Sequence, residues 1–248
     1  MTYWFKDCFL SFALNRRLMN KKIRLFGLAI LLLALSVTAE AQRRRKNTPE
    51  PKAAEWIAPS DYASLSYRYI GPDGNRIIST VGEPGNDLVV YAGAASGGVF
   101  KSEDGGIKWK PIFDAQDVSS IGAMAIAPTN HNIVWVGTGE TYIRSNISIG
   151  NGIYKSTDAG DTWKFMGLPN TGRIGRILID PRDANIVYVA ALGHAYGPQK
   201  ERGVYKSSDG GETWSQVLFV DENTGASDIA LDANNPDILI AGTWQIEM

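Results

Sequence analysis

Between residues 76 and 243 the apolar positions come in short bursts, not at helical spacing. One kind of burst is small and aliphatic: Ile121 to Ala127, Ile174 to Ile179, and Ile229 to Leu231. A turn containing Asn, Asp or Pro follows each. A second kind is β-branched and aromatic: Leu88 to Tyr91, Ile133 to Val136, Ile186 to Val189, and Ile238 to Ile240. Runs this short, flanked by turn residues, predict strands. A third strand is expected where glycine, Val or Ile, an aromatic, Lys and Ser recur, at 98–102, 152–156 and 203–207. A fourth is expected to begin at the tryptophan that follows each of these. Four strands per unit of about fifty residues predict a blade of a β-propeller.

The expected fold class is therefore all-β, a propeller of four-stranded blades. The frame places blades at 76–115, 119–168 and 172–220, with half a blade at 226–243. About three and a half blades do not close a ring, so the count predicts an N-terminal piece of a longer propeller.

Between the third and fourth strands stands a repeated motif, Ser-x-Asp-x-Gly-x-Thr-Trp. Its copies are Ser102, Asp104, Gly106 and Trp109; Ser156, Asp158, Gly160 and Trp163; and Ser207, Asp209, Gly211 and Trp214. Lys108 replaces the threonine in the first copy. Ser and Asp side chains bond backbone amides within their own turn. Glycine supplies positive φ, and the Trp buries a flat apolar surface against a neighbouring sheet. The motif is thus expected to staple hairpins. Three equivalent acids spread around a ring cannot converge on one substrate.

Charge and composition narrow the rest. The formal net charge is −1, and basic residues outnumber acidic ones before Gln42, so the remainder is acidic. No bulk positive charge draws it to nucleic acid. Lys21, Lys22 and Arg24, then the apolar run Leu25 to Val37, then Ala39-Glu40-Ala41, have the order of a secretory signal. Residues 1–41 are read as an upstream extension plus a signal over 19–41, and 42–55 as a disordered linker. The partial propeller occupies 56–248. Export is expected, to the periplasm, outer surface or exterior, with no stable membrane anchor once the signal is cut. The single cysteine, Cys8, precedes the cleavage point. No disulfide framework, thiol nucleophile or Cys-based metal site is then expected. No metal-binding motif appears, and no cofactor is expected.

The repeated motif resembles the Asp-box, or bacterial-neuraminidase-repeat, signature. Ser96 to Ser102, Val136 to Glu140 and Gly71 to Arg76 are similar to the sortilin-like, glycosyl-hydrolase-labelled propeller proteins exported by Bacteroidetes. That resemblance implies a large exported propeller. Two enzymatic relatives give specific tests. Sialidases of this fold carry an early Arg-Ile-Pro, and here Arg76-Ile77-Ile78 lacks the proline. The xyloglucanase relatives place a catalytic acid in a segment matching Tyr91 to Gly98, where the acid position falls on Ala95.

Function on a repeat scaffold usually sits on the variable loops. The loops between the second and third strands, and between blades, share one face. On that face the sequence places Glu140, Arg144, Arg173, His194 and Tyr196. Two readings stand: a carbohydrate or peptide pocket with acids, cations and aromatic platforms, or hydrated loops whose charges pair at the surface. Glu140 is the candidate catalytic acid. The expected function is an exported module binding glycan or protein through its loop face. The alternatives are a glycoside hydrolase whose catalytic residues lie partly in further blades, and a structural platform.

Overall fold

The alternation of short apolar runs with Gly- and Asp-rich turns folds into antiparallel hairpins laid side by side. A computed structural model describes residues 71–144, 146–232 and 234–245. The proposed extension, signal and linker, with Cys8, lie outside the described residues, as do 56–70. The first sheet holds β1 (Ile77–Glu83), β2 (Asn86–Ala94), β3 (Val99–Ser102) and β4 (Lys110–Pro111). The second holds β5 (Ile121–Ala127), β6 (Asn130–Thr138), β7 (Ile153–Ser156) and β8 (Lys164–Phe165). The third holds β9 (Ile174–Ile179), β10 (Val187–Ala191), β11 (Gly203–Ser207) and β12 (Ser215–Leu218). β13 (Thr224–Leu231) and β14 (Leu239–Gln245) form a two-stranded sheet. Each sheet runs in sequence order. The fold is a β-propeller, represented by three four-stranded blades and the first two strands of another. Two apolar runs mark β5 and β9 at both ends. β13 starts earlier than its run, because Thr224 to Asp228 pair with β14 without an apolar pattern.

The core lies between blades. Tyr91 and Val99 of the first sheet meet Ile121, Met124, Ile126, Val134, Val136 and Tyr154 of the second. Trp135, Ile153 and Met166 meet Ile174, Ile177, Ile179, Val187 and Val189 of the third. Ala190 and Val204 meet Ala226 and Ile229. Burying both faces of the middle sheets explains why their strands read as continuous apolar runs.

A β-bulge recurs near the start of every inner strand. The pairing skips Ile78 in β1, Gly122 in β5, Gly175 in β9 and Ser227 in β13. One extra residue reverses which face the following side chains take. Ile121 therefore faces the same cluster as Met124 and Ile126, and Ile174 the same cluster as Ile177 and Ile179. Strict alternation would have split both sets. At Gly122 a Cβ would collide with the carbonyls of Ile174 and Gly139. A glycine there lets adjacent blades approach backbone to backbone.

The three Ser-x-Asp-x-Gly turns repeat one hydrogen-bond pattern. Each serine Oγ accepts from the glycine amide at 2.8 Å: Gly106 to Ser102, Gly160 to Ser156, Gly211 to Ser207. Each serine hydroxyl donates to its aspartate, at 2.9, 2.7 and 2.8 Å in turn. Thr162 and Thr213 each donate amide and hydroxyl to Asp158 and Asp209. The turn then bonds back to its own sheet, through Gly105 to Leu88, Ala159 to Asn132 and Gly210 to Asn185. The tryptophans tie blade to blade: Trp163 donates to the Ile112 carbonyl at 2.8 Å and Trp214 to that of Met166 at 2.7 Å. Trp109 donates within its own turn, to Gly106. His131, near the start of β6, is half-buried against Glu83 of the preceding blade, 3.2 Å away.

Candidate functional site

The β2–β3, β6–β7 and β10–β11 loops all leave the sheets at the end opposite the Ser-x-Asp-x-Gly turns, because Ala94, Thr138 and Ala191 pair with the starts of β1, β5 and β9. Where they meet the bulges, the inner strands line an open cavity of about 480 Å³. All four bulge residues line it. Its polar wall carries Ser79, Thr80, Arg176 and Asp228, and two aromatics, Tyr142 and Trp244, complete it. Arg176 and Asp228 form an ion pair at 3.6 Å with both side chains in solvent. Tyr142 is 60% exposed and Trp244 46%. Exposed aromatic faces beside hydroxyls and one ion pair can stack and orient a polar, uncharged ring.

Glu140 does not face this cavity as an acid. It is fully buried, and its carboxylate is saturated. Arg144 donates through Nε at 2.6 Å and Nη2 at 2.9 Å, the Ser148 amide at 3.3 Å, and Arg76 of the first blade through Nη2. A carboxylate whose oxygens are taken up by two guanidiniums and an amide has no free edge to offer a substrate. Glu140, the candidate catalytic acid, is thus turned into the protein and engaged by its own loop and by the first blade. It anchors its loop. Burial of a glutamate is foreign to its residue type, and Arg76, its first-blade partner, is far away in sequence.

Arg173 is also buried, so it cannot touch a ligand on the loop face. Its Nε donates to Gly193 at 2.8 Å and its Nη2 to the His194 carbonyl at 3.2 Å. Arg202, equally buried, donates to the carbonyls of Leu192, His194 and Gly197. Burial lowers the Arg173 pKa, and the neighbouring Arg202 charge lowers it further. Burial lowers that of Arg202 too, against the attraction of Asp221. Together they shape the β10–β11 loop from beneath. Its tip stays outside: Tyr196 is 61% exposed and His194 half-buried. Of the five candidates, the structure thus joins Glu140 to Arg144 and Arg173 to the backbone of His194. Sequence reasoning missed Arg202, Arg176, Asp228 and Trp244. Nothing in the sequence marks Arg176 and Asp228, because their shared place after the bulge shows only in the strand pairing.

A retaining or inverting glycosidase needs two carboxylates flanking the bond. Among the cavity-lining residues Asp228 alone carries one. Ala95, in the position where an acid was sought, is buried, and its amide donates to the Arg76 carbonyl at 2.9 Å. Among the described residues no group of three His, Cys, Asp or Glu could hold a metal ion.

No family model matches the chain. It is similar to a xyloglucanase of Paenibacillus sp, 28% identical over 212 residues that cover 80% of this chain and 19% of that protein. A xyloglucanase of Hypocrea jecorina is 27% identical over 174 residues, 63% of this chain and 20% of that protein. The chain thus spans about a fifth of the length of the curated relatives it matches. Among solved structures, an ancestral GH74 enzyme superposes with a TM-score of 0.55 at 21% identity, over 72% of this chain and 23% of that one. The GH74 xyloglucanase of Xanthomonas campestris gives a TM-score of 0.51 at 18% identity, over 71% of this chain and 28% of that one. These likenesses show the fold: a β-propeller of the kind that glycoside hydrolases use.

Proposed function

We propose that this chain belongs to an exported Asp-box β-propeller that binds a glycan at the loop-face mouth of its axial cavity. The observation that carries the reading is the cavity wall, where Tyr142 and Trp244 stand beside Ser79, Thr80 and the Arg176–Asp228 pair. Aromatic faces stack on the apolar face of a sugar ring, and the flanking polar groups bond its hydroxyls. The cavity volume falls within the usual range of about 300–1,000 Å³ for small-molecule sites. The similarity to xyloglucanases supports a β-glucan chain as the ligand class.

The test is calorimetric titration of the full chain with xyloglucan, cellulose and chitin oligosaccharides. Saturable binding, weakened at least tenfold in Tyr142→Ala and in Trp244→Ala, is expected. Failure of all three glycans to bind would sink the proposal.

A second reading, a glycoside hydrolase acting on such a glucan, is favoured by the xyloglucanase relatives. It requires a second carboxylate opposite Asp228, which the cavity lining does not supply. Release of reducing sugar from xyloglucan, abolished by Asp228→Asn with binding intact, would move the assignment from binding to hydrolysis.

A further inference from the structure

We infer that Arg76 is a positioning residue that acts through Glu140 to hold the Tyr142 ring against the axial cavity. The choice of ligand in its test rests on the glycan reading above, but the geometry does not. The β6–β7 loop is tied at its base by backbone. Gly139 donates to the Ser120 carbonyl at 2.8 Å, Glu140 to that of Ser148 at 2.8 Å, and Gly150 to that of Gly172 in the third blade at 2.7 Å. These bonds leave Thr141, Tyr142 and Ile143 without a hydrogen bond among the described residues. What fixes that stretch is the carboxylate beneath it. Glu140 holds Arg144 from within the loop by two bonds, and Arg76 holds Glu140 from the first blade.

Arg76 is itself set by the fold. It directly precedes β1, and its carbonyl accepts the Ala95 amide at 2.9 Å. The Arg76–Glu140 pair therefore spans the gap between the first two blades. Tyr142, on the loop that this pair tethers, lines the same cavity as Ser79 and Thr80 of β1. A charge-assisted bond to a buried carboxylate is among the stronger side-chain contacts. Without it the loop keeps its base but loses its first-blade tether, and among the described residues the exposed Tyr142 ring makes no hydrogen bond of its own.

Two measurements on the full chain test this. The first is a double-mutant cycle on the dissociation constant for a xyloglucan oligosaccharide. Arg76→Ala should weaken binding, by no more than Tyr142→Ala does. Arg76→Lys should recover part of that loss. The double variant Arg76→Ala/Tyr142→Ala should bind no more weakly than Tyr142→Ala. Independent, multiplying losses would overturn the inference. The second needs no ligand. Amide exchange over 141–148 should quicken in Arg76→Ala while β9 and β10 keep wild-type protection, and unchanged exchange there would overturn it. If the wild-type chain binds no glycan, the glycan reading falls while the exchange result still decides the role of Arg76.

Discussion

Gly211, in the turn of the third blade, lies so close under the Trp135 indole of the second that an added Cβ would press into the ring, 3.1 Å from its Cζ3. Its φ is +97°, so a side chain there is both crowded and strained. Gly160 repeats the arrangement at φ +96°, but there a Cβ would meet the free end of Ile112, 2.6 Å from Cδ1. A flexible methyl can turn aside and a buried indole cannot. Gly211→Ala should therefore cost about 2–3 kcal/mol of stability, and Gly160→Ala less. Denaturant unfolding of the two variants compares them directly. Equal losses would show that φ strain alone sets the cost.

The turn aspartates should titrate unequally. Hydrogen bonds, first from the threonine hydroxyl and then from its amide, hold Asp158 and Asp209 down to about 2. Asp104 is also lowered, chiefly by the Lys108 amide, but has no such hydroxyl. A depressed carboxylate adds stability above its unfolded pKa and loses it as pH falls through the folded value. The second and third turns should thus hold to lower pH than the first. Carboxyl NMR titration should show Lys108→Thr driving Asp104 further down. An unmoved Asp104 would mean that the threonine hydroxyl contributes nothing.

Ala159 occupies the left-handed region at φ 56°, where the first and third turns have Gly105 and Gly210, both at φ 71°. The strain of a Cβ there outweighs the extra freedom that glycine gives the unfolded chain. Ala159→Gly should stabilise the protein by about 0.5 kcal/mol. A lowered denaturation midpoint would contradict this. The residue's bonds use only its backbone, to Asn132 and from the Tyr91 hydroxyl, and survive the change.

Glu140→Gln should destabilise the protein before it tells anything about catalysis. The amide would turn a donor toward groups that already donate and leave Arg76 and Arg144 without a counter-charge. Both arginines reach solvent, with side chains 45% and 32% exposed, which softens the loss to about 2–3 kcal/mol. A melting curve for this variant should accompany any activity measurement. An unchanged melt with lost activity would restore Glu140 as a chemical group.

The repeat was legible because packing imposes it. Ile121, Ile174 and the turn tryptophans are apolar since each blade buries a face against the next. The Asp104, Asp158 and Asp209 turns were legible because their chemistry is local, within a few residues. The site was less so. Nothing near Glu140 in the sequence tells whether it points out or in; that depends on Arg76, a blade away. Arg173 and Arg202 are types that usually stay wet, and their burial under a loop of carbonyls leaves no periodic trace. The bulges were hidden for a related reason. Gly122 and Gly175 look like ordinary strand glycines until the pairing shows the skipped residue.

Those four bulges leave a residue at an equivalent place on each inner strand: Ser79, Ala123, Arg176 and Asp228, opposite Gly93, Gly137, Ala190 and Gly242. The scaffold that offers these places is nearly rotationally symmetric; the occupants are a hydroxyl, a methyl, a cation and an anion. The cavity wall therefore differs from blade to blade although the strand frame beneath it repeats. A polymer crossing the axis would meet a charged side and a neutral side, and could tell one of its ends from the other.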